Sequence, residues 1–161
     1  MNRLGVALIF ILCMPLAAAP QQQPATAQPH ADYSREPFVI EQYFTTARFE
    51  NDGTSERDLT VRIRVQSDAG AQQLKELVFD FDSSSEKMEV RYARVRQPDG
   101  TIVTAAADAV KEVSASIARD APAYGNAKEK HIAVPSLAPG TTLEYEIATR
   151  VVTPAGRNRA R

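Results

Sequence analysis

Tryptophan is missing from the 161 residues, cysteine occurs once and histidine twice. The single cysteine, Cys13, lies in an apolar stretch at the start of the chain. Past that stretch there is no disulfide, no thiol nucleophile and no cysteine-based metal site. A surplus of one charge is also lacking: 19 basic residues face 20 acidic ones, a net charge of −1. Nucleic-acid binding needs a clustered cationic surface, so no nucleic-acid partner is expected. The apolar stretch, Leu4 to Leu16, falls short of the roughly 20 residues that span a bilayer.

That stretch does have the form of an export signal. Arg3 precedes it, Ala17-Ala18-Ala19 follows, and a polar run begins at Gln21. This is the order of a secretory signal peptide. Cleavage after Ala19 would leave Pro20 at the new terminus, so the Ala25-Thr26-Ala27 triplet is the better site; the alternative is an uncleaved N-terminal anchor. Lipidation at Cys13 is not expected, because Leu12 stands where a small residue is needed. Cleavage after Ala27 leaves 18 basic against 20 acidic residues. The expectations are a signal peptide over 1–27, a flexible spacer over 28–36, one folded domain over 37–154 and a disordered tail over 155–161. The mature protein is expected to be periplasmic or secreted, with no stable membrane span after cleavage.

Ten prolines and seven glycines, several beside Asp or Asn, suit a turn-rich β protein. The stretch from Met88 to Val103 reads as the organising hairpin: alternating side chains enter Pro98-Asp99-Gly100 and leave again. Phe38 to Glu50 is a strand rich in β-branched and aromatic residues, closed by the turn Asn51-Asp52-Gly53. Leu59, Val61, Ile63 and Val65 alternate with Thr60, Arg62, Arg64 and Gln66, which puts one face on a core and the other in water. Ser67 to Gly70 breaks that strand, and Ala71 to Glu76 has the propensity for one helical turn. Leu77 to Phe81 and Lys128 to Val134 are further strands, and Ser83 to Ser85 is a loop. Ala105 to Val113 is either helical or an irregular connection. In the last strand, Thr142 to Thr153, Leu143, Tyr145, Ile147, Thr149 and Val151 alternate with Glu144, Glu146, Ala148 and Arg150. About seven short strands with little helix make an all-β, antiparallel, sandwich-like module.

The order and spacing of these turns resemble a bacterial domain of unknown function that stands N-terminal to transglutaminase-like domains in envelope proteins. The resemblance rests on Asn51-Asp52-Gly53 with the strand to Val65 and on Pro98-Asp99-Gly100. It rests also on Ala121-Pro122-Ala123-Tyr124, Pro135-Ser136-Leu137-Ala138-Pro139-Gly140 and Leu143-Glu144-Tyr145-Glu146, and it covers about Arg35 to Pro154. It implies an exported β-sandwich usually followed by a papain-like domain with a Cys-His-Asp site. That cysteine has no counterpart here, so no catalytic residue carries over. The resemblance also implies that the sandwich is unfinished at Arg161, with an unpaired edge that favours docking or self-association.

Candidate chemistry is sparse. Asp80, Asp82, Ser84 and Glu86 alternate as in a calcium loop, but Ser85 and Arg91 stand where that loop needs Gly and Glu, so solvent-facing carboxylates are expected. His131 lacks a positioned nucleophile; Ser114, Ser116 and Asp120 have no motif around them. His30 has no neighbouring ligand in the spacer. Arg62, Arg64, Arg91, Arg94 and Arg96 form a basic strip that either pairs with Glu89, Glu144 and Glu146 across strands or takes an anionic glycan or acidic peptide. Tyr124 is either a partner contact or a loop anchor. No catalytic, metal or cofactor site is expected. The expected function is a non-catalytic accessory module whose partner is a transglutaminase-like domain, in cis or in trans, or an envelope component. The alternative is a carbohydrate- or peptide-binding module.

Overall fold

The structure, a computed structural model, describes residues 32–121 and 125–154. Eight antiparallel strands form two sheets in this part of the chain. β1 (Phe38–Phe49), β2 (Ser55–Val65), β8 (Thr142–Val151), β4 (Glu86–Arg96) and β5 (Ile102–Thr104) lie side by side in that order. The second sheet runs β3 (Glu76–Asp82), β7 (Ala127–Ala133), β6 (Val110–Ser114). The all-β, sandwich-like expectation is met.

Two turns of one construction build the hairpins. In Asn51-Asp52-Gly53-Thr54, the Asp52 carboxylate accepts the Thr54 amide at 2.9 Å, and Gly53 sits at φ +86. In Pro98-Asp99-Gly100-Thr101, the Asp99 carboxylate accepts the Thr101 amide at 2.8 Å, and Gly100 sits at φ +88. The aspartate fixes the turn, and glycine takes the left-handed position that a Cβ disfavours.

The hairpin expected to organise the chain lies at one side of the large sheet, with β5 as its edge. The organising strand is β8. It pairs with β2 on one side, Ile63 against Leu143, and with β4 on the other, Val95 against Leu143. Its inner residues Leu143, Tyr145 and Ile147 are buried, as the alternation predicts. Its outer residues Glu144 and Ala148 are buried as well, and over Glu144 the arginines Arg62 and Arg94 reach in from both neighbouring strands. Strict alternation with one wet face therefore fails here and holds on β2, where Val61, Ile63 and Val65 are buried between exposed Arg62 and Arg64.

The small sheet contributes Leu77, Phe81 and Ile132 to this core. Phe79 meets Tyr145 edge-on, ring centroids 5.7 Å apart. Lys130 stands on the inner face of β7, only 14% exposed, and donates to the Met88 carbonyl of the opposite sheet at 2.7 Å. Such a bond between sheets satisfies a cation in an otherwise apolar layer.

The short helix is longer than the single turn expected: α1 spans Asp68–Leu74, with the Ser67 hydroxyl accepting the Gly70 amide at its start. Ala105 to Val113 resolves into a 3₁₀ turn, Ala107–Ala109, followed by β6. α2 (Ser116–Asp120) has no counterpart in the sequence reading. Residues 32–36, expected in the spacer, fold into a turn whose Tyr33 and Glu36 carbonyls both accept from the Gln66 side chain, at 2.7 and 2.8 Å. The expected signal peptide, its cleavage site, residues 28–31 of the spacer and the tail over 155–161 lie outside the described residues. No helix among the described residues is long and apolar enough to cross a membrane.

Candidate functional site

Two surfaces of the large sheet stand out, one polar and one apolar. The polar surface is its outer face. Arg62 of β2 and Arg94 of β4 flank Glu144 of β8 in register, and one step along the strands Arg64 and Arg96 flank Thr142. The Glu144 carboxylate accepts Nε of Arg62 at 3.2 Å and Nε of Arg94 at 2.8 Å, and Arg96 Nη2 lies 3.7 Å away. Burial pushes this carboxyl up and is the largest single influence. The hydrogen bond from Arg94 and the charges of Arg94, Arg96 and Arg62 together outweigh it and hold the carboxyl below the usual glutamate value. Arg94 also lies over the Tyr92 ring, 4.7 Å from its centroid.

The expected cross-strand pairing is thus present, with changes of partner. Arg91 reaches Glu56, Asp58 and Glu146, and Arg64 pairs with Glu41 of β1 at 2.8 Å. Glu89 stands opposite Ala148 rather than an arginine. The arginine strip is therefore split. Arg91 belongs to an acidic half of the face, and the other four arginines share the other half with Glu144 and Glu41.

The apolar surface belongs to β1. Its register puts Ile40, Tyr43 and Phe49 on the same side of the sheet as the core residues Ile63 and Val61. The core shared with the small sheet is built from residues of β2, β8 and β4, with Phe38 of β1 packed against it. Ile40 is 52% exposed, Tyr43 66% and Phe49 77%. Phe44, on the outer side, is 58% exposed. Only the start of the strand is tucked in, where Phe38 packs against the core. An open hollow of about 410 Å³ lies there, lined by Tyr33, Glu36, Phe38, Val39 and Ile40. At the far end Pro154 packs against Gly53, so the chain leaves β8 beside the turn that follows Phe49.

The remaining candidates do not assemble. Asp82 accepts the Ser84 amide and hydroxyl at 2.8 and 2.6 Å, and Glu86 accepts the Asp82 amide, so both carboxylates cap a turn. Asp80 stands opposite Glu129 on β7. Among the described residues no three His, Cys, Asp or Glu side chains are grouped to hold a metal. His131 is held between two carboxylates, Nδ1 to Glu76 at 3.0 Å and Nε2 to Glu129 at 2.9 Å. Hydrogen bonds that its ring donates to the Glu129 and Glu76 carboxylates raise its pKa above the usual histidine value. A base with both nitrogens engaged by carboxylates is a poor partner for a hydroxyl nucleophile. Ser114 pairs with Lys128 on the face of the sheet opposite to His131, and Ser116 and Asp120 stand at the two ends of α2. His30 and Tyr124 lie outside the described residues.

Sequence reasoning missed the burial of Glu144 and the inward Lys130. For Lys130 a signal exists: Lys128 and Lys130 share the parity of Ile132, so a strand with Ile132 inside places both lysines inside. For Glu144 there is none, because its burial depends on two strands about 50 and 80 residues away in sequence.

The comparisons fit this architecture. Residues 51–160 match a domain of unknown function with solved structure, DUF3857. No curated protein matches the chain. A solved structure from Parabacteroides distasonis ATCC 8503, described as a "putative protease", superposes with a TM-score of 0.68 at 22% identity. The alignment covers 73% of this chain and 23% of that one, so this chain spans under a quarter of the Parabacteroides protein. At that identity the likeness is one of fold.

Proposed function

The chain belongs to the DUF3857 family, and we propose that it is an exported, non-catalytic accessory module that docks another protein domain through β1. The observation that carries this reading is the exposure of Ile40, Tyr43 and Phe49 on the side of the sheet that elsewhere forms the core. Water-exposed apolar residues continuous with a core favour a covering partner. A long edge strand offers unpaired backbone groups for an added strand. The partner in this reading is a transglutaminase-like domain, in cis or in trans, and the setting is the bacterial envelope. The export-signal pattern at the N-terminus and the envelope-protein resemblance support that setting.

Hydrogen exchange of the full chain, alone and mixed with a transglutaminase-like domain from the same genome, tests the proposal. Slowed exchange at Gln42 to Arg48 of β1 is expected. Unchanged β1 amides in a mixture that forms a complex would overturn it. The alternative reading, a carbohydrate- or peptide-binding module, draws its support from the arginines of the outer face.

A further inference from the structure

The outer face of the large sheet carries four arginines at the corners of a rectangle. Arg62 and Arg64 stand on β2, Arg94 and Arg96 on β4, with Glu144 and Thr142 of β8 between them. Adjacent strands lie about 4.8 Å apart and alternate residues about 7 Å apart along a strand, so the corners are about 10 Å by 7 Å. All four guanidiniums are accessible, with side chains 36–48% exposed. Glu144 and Glu41 supply two negative charges against the four positive ones. Only Nε of Arg62 and Arg94 donates a hydrogen bond to Glu144, and Arg64 is engaged by Glu41 and Gln66. Arg96 has no hydrogen-bond acceptor among the described residues and meets Glu144 only at 3.7 Å.

We propose that this rectangle binds a tetrahedral oxyanion, a phosphate or sulfate ester, over Thr142 with Arg96 as its principal ligand. A dianion matches the surplus of two positive charges. The planar guanidinium fork donates two parallel hydrogen bonds to such a group. Glu144 positions the cluster: its buried carboxylate holds Arg62 and Arg94 in place before any ligand arrives, which reduces the ordering cost of binding. The other half of the same face is unsuited, since Arg91 and Arg150 there are taken up by Glu56, Asp58 and Glu146. The site faces away from the inner surface of β1, so it stands or falls independently of the docking proposal.

Isothermal titration of the full chain with pyrophosphate and with a sulfated polysaccharide tests the site. Both Arg64→Gln with Arg96→Gln and the single Thr142→Val are compared with an Arg48→Gln, Arg150→Gln control at the far end of the face. The expected result is saturable binding that weakens at least tenfold in the Arg64/Arg96 variant, weakens about threefold in Thr142→Val and is unchanged in the control. Binding of pyrophosphate alone points to a small phosphate compound, and binding of the polysaccharide points to a charged polymer; either supports the site. No binding, equal affinity in all variants, or binding of polyglutamate alone overturns it. Should the arginine variant fail to fold, Nε–Hε resonance shifts of Arg96 in a pyrophosphate titration of the wild type decide the matter, with no shift overturning it.

Discussion

β1 and β8 belong to one sheet, are of similar length and are both rich in β-branched and aromatic residues, yet they sit in opposite environments. β8 has a hydrogen-bonded strand on each side, a second sheet over its inner face and arginine side chains over its outer face. Among the described residues β1 has one neighbouring strand, and Ile40, Tyr43, Phe44 and Phe49 are exposed. Composition makes a strand, but the neighbours make a core. The apolar side chains of β8 are structural, whereas those of β1 are exposed at a cost that an interaction can offset.

The largest contrast is a pair of truncations. Leu143 is fully buried, and Leu143→Ala removes its packing and leaves a cavity between the sheets. A loss of about 2–5 kcal/mol in a urea titration is expected. Tyr43→Ser, on the same side of the same sheet, is expected to change stability by no more than about 0.5 kcal/mol. It should also make the chain less prone to self-associate in size-exclusion chromatography. A loss at Tyr43 as large as at Leu143 would mean that β1 is covered after all.

Much of this contrast lay beyond the reach of the sequence. Alternation revealed β2, β4 and β8, and the two Asp-Gly turns marked the hairpins, because both are local effects of side-chain period and backbone conformation; β6 stayed hidden in a stretch that read as helical or irregular. Alternation does not say which strands become neighbours. Phe38 to Glu50 therefore read as a strand like any other, and Met88 to Val103 read as the centre. Glu144 read as a cross-strand partner of the arginines, but its burial did not, because the residues that cover it come from remote strands. The arginine strip was visible as a set; its division between Glu144 and the Glu56–Asp58–Glu146 group required the register. α1 was half-visible, since Ser67 looked like a break when it is the residue that caps the helix.

The tether of β1 gives a second, smaller test. Gly70 in α1 lies so close to the residue preceding β1 that a Cβ there would stand 2.1 Å from the Pro37 carbonyl oxygen. The same carbonyl accepts the amides of Gln66 and Ser67, at 2.9 and 3.2 Å. Gly70→Ala must push this junction apart, and a loss of about 1–3 kcal/mol is expected. Amide exchange should speed up at the start of β1 first and leave β8 unchanged. Equal acceleration in both strands would show that β1 is tied to the core all along its length, which would narrow the contrast.

Acid sharpens the comparison from the polar side. Folding lowers the Glu144 pKa, so the ionised carboxylate favours the folded state. Its contribution is in place above the unfolded value of 4.5 and is lost as pH falls through the lower folded value. On β1 the counterpart is Glu41, paired with Arg64 at an exposed position where ion pairs contribute about 0–1 kcal/mol. Glu144→Gln is expected to cost about 1–2 kcal/mol at pH 7, discounted because its arginines are partly exposed. It should also flatten the fall in urea midpoint between pH 5 and pH 3. Glu41→Gln should leave the stability at pH 7 nearly as it is. If the two variants lose equal stability at pH 7, the outer face of β8 is as wet as that of β1, and Glu144 is one more surface carboxylate rather than the buried centre of the arginine cluster.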